Sequence, residues 1–213
     1  MPVRGSADAP EWNSILDQRS GKRFTTLFRV ARVVTDAGAQ HLCLIRNIGA
    51  GGLMLETYVP FGFGTAVRVE PKGCAPVNGK ICWVRDKNAG VAFDAPIDVA
   101  AYLSLNQPPD MQETPRGPRL TVGRRARLRV GVMWHVVELI DLSQKGAKVQ
   151  SDLPMEMDAG VELMVERLAP LSGRIRWMKE DRIGIEFSTA IALADLAEWA
   201  STLPGADIPS PMD

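Results

Sequence analysis

The sequence predicts a mainly β protein built from two tandem domains, each an antiparallel barrel or sandwich followed by a short helix. Short alternating or β-branched runs recur between Gly and Pro along most of the chain. The pattern then repeats, with Asp141 following Asn47 by 94 residues and the same interval holding across most of each half. A stretch rich in Pro, 108–118, separates the copies. With 213 residues and 46% apolar content, the chain can bury two separate cores.

Residues 1–16 are small, polar and Pro-containing and read as a flexible lead, with Trp12, Ile15 and Leu16 able to form a short helical anchor. The first domain is expected over 17–107. Strand-like runs are Phe24–Val34, His41–Arg46, Leu53–Glu56, Ala66–Val69, Gly79–Val84 and Gly90–Phe93, cut by turns such as Asp36–Ala39 and the loop around Pro60. Ile97, Ala101 and Leu105 share one face of a closing helix. The linker 108–118 carries Pro108, Pro109, Pro115, Pro118 and Arg116. The second domain is expected over 119–204. It ends in a helix predicted over Ile191–Leu203, with Leu193, Leu196 and Trp199 at helical spacing and Pro204 after it; 205–213 is a tail.

At the 94-residue shift His41 meets His135, Gly52 meets Gly146, Pro60 meets Pro154 and Gly79 meets Gly173. Trp83 likewise meets Trp177, Gly90 meets Gly184 and Phe93 meets Phe187, all without a gap. A single register over this span makes two copies of one β-rich unit.

Formal net charge is zero, so no bulk field favours nucleic acid or anionic lipid, and anion binding must come from local arginines. Cys43, Cys74 and Cys82 lack metal-type spacing and suit free thiols in a reducing cytoplasm. Residues 1–20 lack a signal-peptide core and no run has the length of a membrane helix, so a cytoplasmic location is the expectation. The paired histidines have no recurring Cys or carboxylate at ligand spacing and read as structural rather than metal-binding. Trp83 and Trp177 read as core or barrel-rim packing rather than stacking platforms. Arg125, Arg127 and Arg129 alternate with Ala126, Leu128 and Val130 and form the outer face of a strand. No phosphate-binding Gly-rich loop with Lys, no His-Glu-x-x-His and no Gly-x-Ser-x-Gly elbow occurs, so no enzymatic activity is expected.

Two features point to a binding site. Asp141-Leu-Ser-Gln-Lys-Gly146 lies between two strand-like runs, and side chains two apart on extended backbone project together, pairing Asp141 with Ser143. The matching stretch is Asn47-Ile-Gly-Ala-Gly-Gly52. Basic residues precede each first strand: Arg19 and Arg23 in one copy, Arg116 and Arg119 in the other.

An Arg-x-x-x-Arg before the first strand, an (Asp or Asn)-x-Ser-x-x-Gly turn, and a late Trp and Gly-x-x-Phe together resemble PilZ domains, bacterial receptors for cyclic di-GMP. The resemblance implies two tandem six-stranded antiparallel barrels, each followed by a short helix, and a non-catalytic second-messenger receptor. It implies a ligand set of Arg19, Arg23, Asn47, Gly49 and Gly52 in the first copy. In the second copy the implied set is Arg116, Arg119, Asp141, Ser143 and Gly146. It calls for no cofactor beyond the ligand, and for a protein partner in a motility, polysaccharide or cell-cycle pathway. Guanidinium groups suit the ligand's phosphates and its guanine O6 and N7 edges, and a carboxylate or amide oxygen suits guanine N–H donors.

Each copy departs from the pattern. The first has Gly49 where the Ser belongs, and a neutral Asn47; the second keeps Asp141, Ser143 and Gly146 but has Pro115 four places before Arg119. Two other readings stand beside the receptor. One is an adaptor that has lost ligand binding in one or both copies; the other is a barrel that binds nucleic acid through the Arg116–Arg129 run.

Overall fold

In the computed structural model, residues 25–104, 117–152 and 154–203 are described. Among them, twelve strands close into two six-stranded antiparallel barrels. Barrel 1 comprises β1 (Thr25–Thr35), β2 (Gln40–Gly49), β3 (Gly52–Glu56), β4 (Ala66–Pro71), β5 (Val77–Arg85) and β6 (Asn88–Phe93), followed by α1 (Val99–Ser104). Barrel 2 comprises β7 (Leu120–Val130), β8 (Met133–Ser143), β9 (Gly146–Gln150), β10 (Gly160–Met164), β11 (Leu171–Lys179) and β12 (Arg182–Phe187), followed by α2 (Leu193–Ala200). Both share one strand order, β1-β2-β3-β6-β5-β4 in the first and β7-β8-β9-β12-β11-β10 in the second. The predicted mainly β class, the duplicated barrels and the closing helices are therefore observed. Residues 1–24, 105–116, 153 and 204–213 lie outside the described residues, and with them the predicted lead 1–16, most of the linker 108–118 and the tail 205–213.

Alternation forms the strands. In β4, Val67 and Val69 point into the core while Arg68 is exposed, and in β7 Ala126 and Leu128 are buried while Arg125, Arg127 and Arg129 face outward, as predicted. The 94-residue interval holds from β2 onward: the bounds of β3 and β9, of β5 and β11, and of β6 and β12 differ by 94 at both ends. The first strand runs at 95, because Val33 pairs with His41 while Leu128 pairs with His135. The cause is the hairpin: five residues separate the paired Val34 and Gln40 and four separate the equivalent pair Arg129 and Trp134, where Gly131 supplies the positive φ of 59°.

Four recurring glycines are required by close strand contact. A Cβ on Gly52 or Gly146 would lie 2.3 Å from the carbonyl oxygen of Val91 or Ile185. On Gly90 or Gly184 it would lie 2.0 Å from Nε1 of Trp83 or Trp177. Each Trp thus lies across the glycine opposite it on the next strand, a packing role for both. His41 packs edge-on against Phe61, with ring centroids 4.7 Å apart.

α2 is shorter than the predicted Ile191–Leu203. Ala192 is extended (φ −58°, ψ 140°), and past Ala200 the Ser201 and Thr202 hydroxyls donate to the carbonyls of Glu198 and Trp199 and close the last turn. α2 buries Leu196, Ala197, Trp199 and Ala200, and also packs against β2 of barrel 1. Leu42 of β2 consequently belongs to barrel 2's apolar cluster rather than its own, with Tyr58 packed beside it.

Candidate functional site

The site begins with a bulge. β8 pairs Leu139 with Val149 and then Asp141 with Lys148, so one residue, Ile140, is skipped and the alternation shifts. Leu142 now faces the core, and Asp141 and Ser143 share the opposite face, as their spacing predicted. β2 carries the same bulge between Ile45 and Asn47, which gives Asn47 and Gly49 the same placement in barrel 1.

Asp141 is 8% exposed and Ser143 6%. A carboxylate so far removed from water requires partners, and it has one cation on each oxygen. Arg119 donates to Oδ1 at 2.5 Å, and Lys148 Nζ lies 2.9 Å from Oδ2. Ser143 Oγ donates to the Gly146 carbonyl at 3.0 Å, bracing the two-residue turn between β8 and β9. Gly146 stands against Ile185 of β12, so barrel closure by itself already requires its absent side chain.

The arginine strand-start is gripped by the other barrel. Arg32 Nη1 donates to the Arg119 carbonyl at 2.9 Å, while its Nε donates to Glu70 at 2.8 Å. Gln40 uses both ends of its amide on Thr121, accepting from the backbone N–H at 3.0 Å and donating to the carbonyl at 3.1 Å. A cleft of about 220 Å³ opens here at the barrel boundary, lined by Arg32, Glu70, Lys72, Pro118 and Arg119. A larger cleft of about 770 Å³ lies between α2 and the loop around Leu168, and none of the motif residues lines it.

Of the predicted residues, the structure joins Arg119, Asp141, Ser143 and Gly146 in one place. Arg19, Arg23 and Arg116 lie outside the described residues. Asn47, Gly49 and Gly52 occupy the equivalent bulge and turn of barrel 1, with Met54 opposite Asn47 where Lys148 stands in barrel 2. The neighbouring Arg46 pairs with Glu56 and lies over the Phe28 ring at 5.0 Å. Counting back from the paired Thr25 and Leu120, Arg119 corresponds in sequence to Phe24 rather than to Arg23. Lys148 was missed. Its signal was available: counting outward from the two-residue turn pairs Ser143 with Gly146 and Asp141 with Lys148.

The chemistry offered is that of a polar clamp. A buried acceptor with two lone-pair edges sits between a guanidinium and an ammonium, both partly exposed. Because the carboxylate is buried, a cation can leave it only if a ligand supplies donors in its place. Among the described residues no group of three or more His, Cys, Asp or Glu could hold a metal ion, and no helix is long and apolar enough to cross a membrane.

Comparison with known proteins assigns the second barrel. Residues 113–200 match the PilZ domain model. No curated protein matches the sequence. Among solved structures, the chain is similar to the PlzA protein of Borreliella burgdorferi in complex with c-di-GMP, at 13% identity over 82% of this chain and 87% of that one, TM-score 0.35. It is similar to the Bacillus subtilis inhibitor of motility MotI/DgrA at 13% identity, covering 83% and 95%, TM-score 0.32. It is also similar to Escherichia coli YcgR in complex with c-di-GMP at 11% identity, covering 80% and 81%, TM-score 0.32.

Proposed function

With a PilZ domain over residues 113–200, we propose that this protein is a non-catalytic receptor for cyclic di-GMP. Barrel 2 holds the ligand through Arg119, Asp141, Ser143 and Lys148, and the bound state passes to a protein partner. The observation that carries this reading is the Asp141 carboxylate, buried at a strand bulge, braced by two cations and placed beside Ser143.

Guanine presents two N–H donors on one edge, and a carboxylate accepts them side by side. Arg119 then swings off Oδ1 and pairs with a phosphate or with the O6/N7 edge of guanine. Because Arg32 grips the Arg119 carbonyl and Gln40 the Thr121 backbone, such a movement pulls on the contact between barrels. Ligand binding thereby biases how the barrels sit, which is the form a switch requires. Barrel 1 is read as a diverged copy, since Gly49 lacks a hydroxyl and Met54 lacks the cation. It acts as the element that senses the site and presents the change to a partner in a motility, polysaccharide or cell-cycle pathway of the bacterial cytoplasm. Neither metal nor cofactor has a part in this scheme.

The test is calorimetric titration of cyclic di-GMP into the intact protein, together with thermal melts. Saturable binding at or below tens of micromolar is expected, with stabilisation of about 2.7 kcal/mol at a ligand concentration one hundred times Kd. Absence of heat and of any melting shift would instead favour an adaptor that binds no nucleotide.

A further inference from the structure

The two barrels meet through unlike faces. Barrel 1 contributes the outer face of β1 and β2, with Arg32, Gln40 and Leu42; barrel 2 contributes the start of β7 and the helix α2. Since both barrels have one strand order, each possesses both faces, and the contact uses only one of each. The register makes Arg127, Trp134 and Val136 the counterparts of Arg32, Gln40 and Leu42.

On barrel 2 that face is exposed among the described residues. Val136 is 69% exposed where Leu42 is 2%, and Val132 at the hairpin tip is 90% exposed, with Met133 and Trp134 also in solvent. Arg127 and Arg129 lie over the Trp134 ring at 4.8 and 5.7 Å. At the other end of the molecule, Leu103 of α1 is half-buried, whereas its counterpart on α2, Ala197, is fully covered. Among the described residues, one face of each kind is therefore left without the contact that its counterpart makes.

We infer that the outer face of β7 and β8 is a docking surface for a second copy of this chain, which seats its α1 end there as α2 seats on β2. Large apolar side chains exposed together on one face, with arginines among them, mark an interaction site rather than ordinary surface. Nucleic acid is disfavoured because acids share the face with the cations: Arg129 pairs with Glu162 at 3.0 Å, and Glu138 stands opposite Arg125 in the register. A lipid surface is disfavoured because the apolar groups are not confined to the tip; Val136 and Met164 carry them along the sheet face. The contact is heterologous, so it adds copies head to tail unless the rotation closes a ring.

Sedimentation velocity on the full chain from about 1 to 200 μM tests this. Mass should rise reversibly with concentration, and Val136→Glu should weaken association at least tenfold. Met178→Glu, an exposed apolar position on the far wall of barrel 2, should leave it unchanged. A wild-type protein monomeric throughout overturns the inference, as does association equally sensitive to both variants. Vesicles of phosphatidylserine and phosphatidylcholine and a twenty-nucleotide oligo(dT) serve as further probes. If either binds a monomeric wild-type protein and Val136→Glu or Arg127→Glu abolishes that binding, the face belongs to lipid or nucleic acid and the inference fails. Unchanged melting of the variants excludes a folding defect.

Discussion

Superposed through the repeat, barrel 1 and barrel 2 agree wherever the barrel itself makes the demand. Both have the bulge before the turn, the glycine against the neighbouring carbonyl, and the Trp lying over a glycine on the next strand. They part where a ligand would make the demand, with Asn47, Gly49 and Met54 set against Asp141, Ser143 and Lys148. The lesson concerns the glycine of the motif. It stands also in the copy with Gly49 at the serine position, where a Cβ would strike the next strand, so the fold alone is enough to require it.

The largest expected effect tests that division. Gly52→Ala and Gly146→Ala should each destabilise the protein by about 2–4 kcal/mol, measured by urea unfolding, since the clash is with backbone that cannot step aside. Tolerance at Gly52 alone would mean that barrel 1 no longer needs the contact. Next comes Arg119→Ala, expected to weaken cyclic di-GMP binding by about 10–100-fold, the worth of a hydrogen bond to a charged group or somewhat more. It should also flatten the dependence of affinity on salt. Lys148→Met, which gives barrel 2 the barrel 1 residue, should cost about tenfold in affinity. Ser143→Gly, the other such exchange, should cost about 1 kcal/mol, or several-fold, by the same titration.

The smallest effect concerns the thiols of barrel 1. Burial pushes the Cys43 thiol far above its ordinary range and raises that of Cys82 as well. Iodoacetamide at pH 8 should therefore label the exposed Cys82 while Cys43 reacts only on unfolding. The sign of the linkage follows. Above about pH 8.5 the unfolded chain releases a proton that folded Cys43 retains, so stability falls as pH rises.

Much of this was legible before the structure. Glycine spacing and alternation announced two β units, and the offset of two between Asp141 and Ser143 announced a shared face. What stayed hidden depended on pairing and on neighbours. Lys148 becomes a site residue only through its place opposite Asp141 in the hairpin. The one-residue slip of the first strand arises in a turn whose length differs between copies, so Arg119 matches Phe24 and not Arg23 in the count. The barrel contact could not be read because Gln40 and Leu42 lie on an outer face, where a polar and an apolar residue give no sign of what will cover them.

The central claim is that one barrel binds and the other listens. Its most direct test is calorimetric titration of cyclic di-GMP into the Asp141→Ala and Asn47→Ala variants side by side, each first shown to melt like the parent. The receptor reading predicts that Asp141→Ala loses about a hundredfold or more in affinity, while Asn47→Ala keeps parental affinity and stoichiometry. Equal losses in the two variants, or loss only with Asn47→Ala, would contradict it.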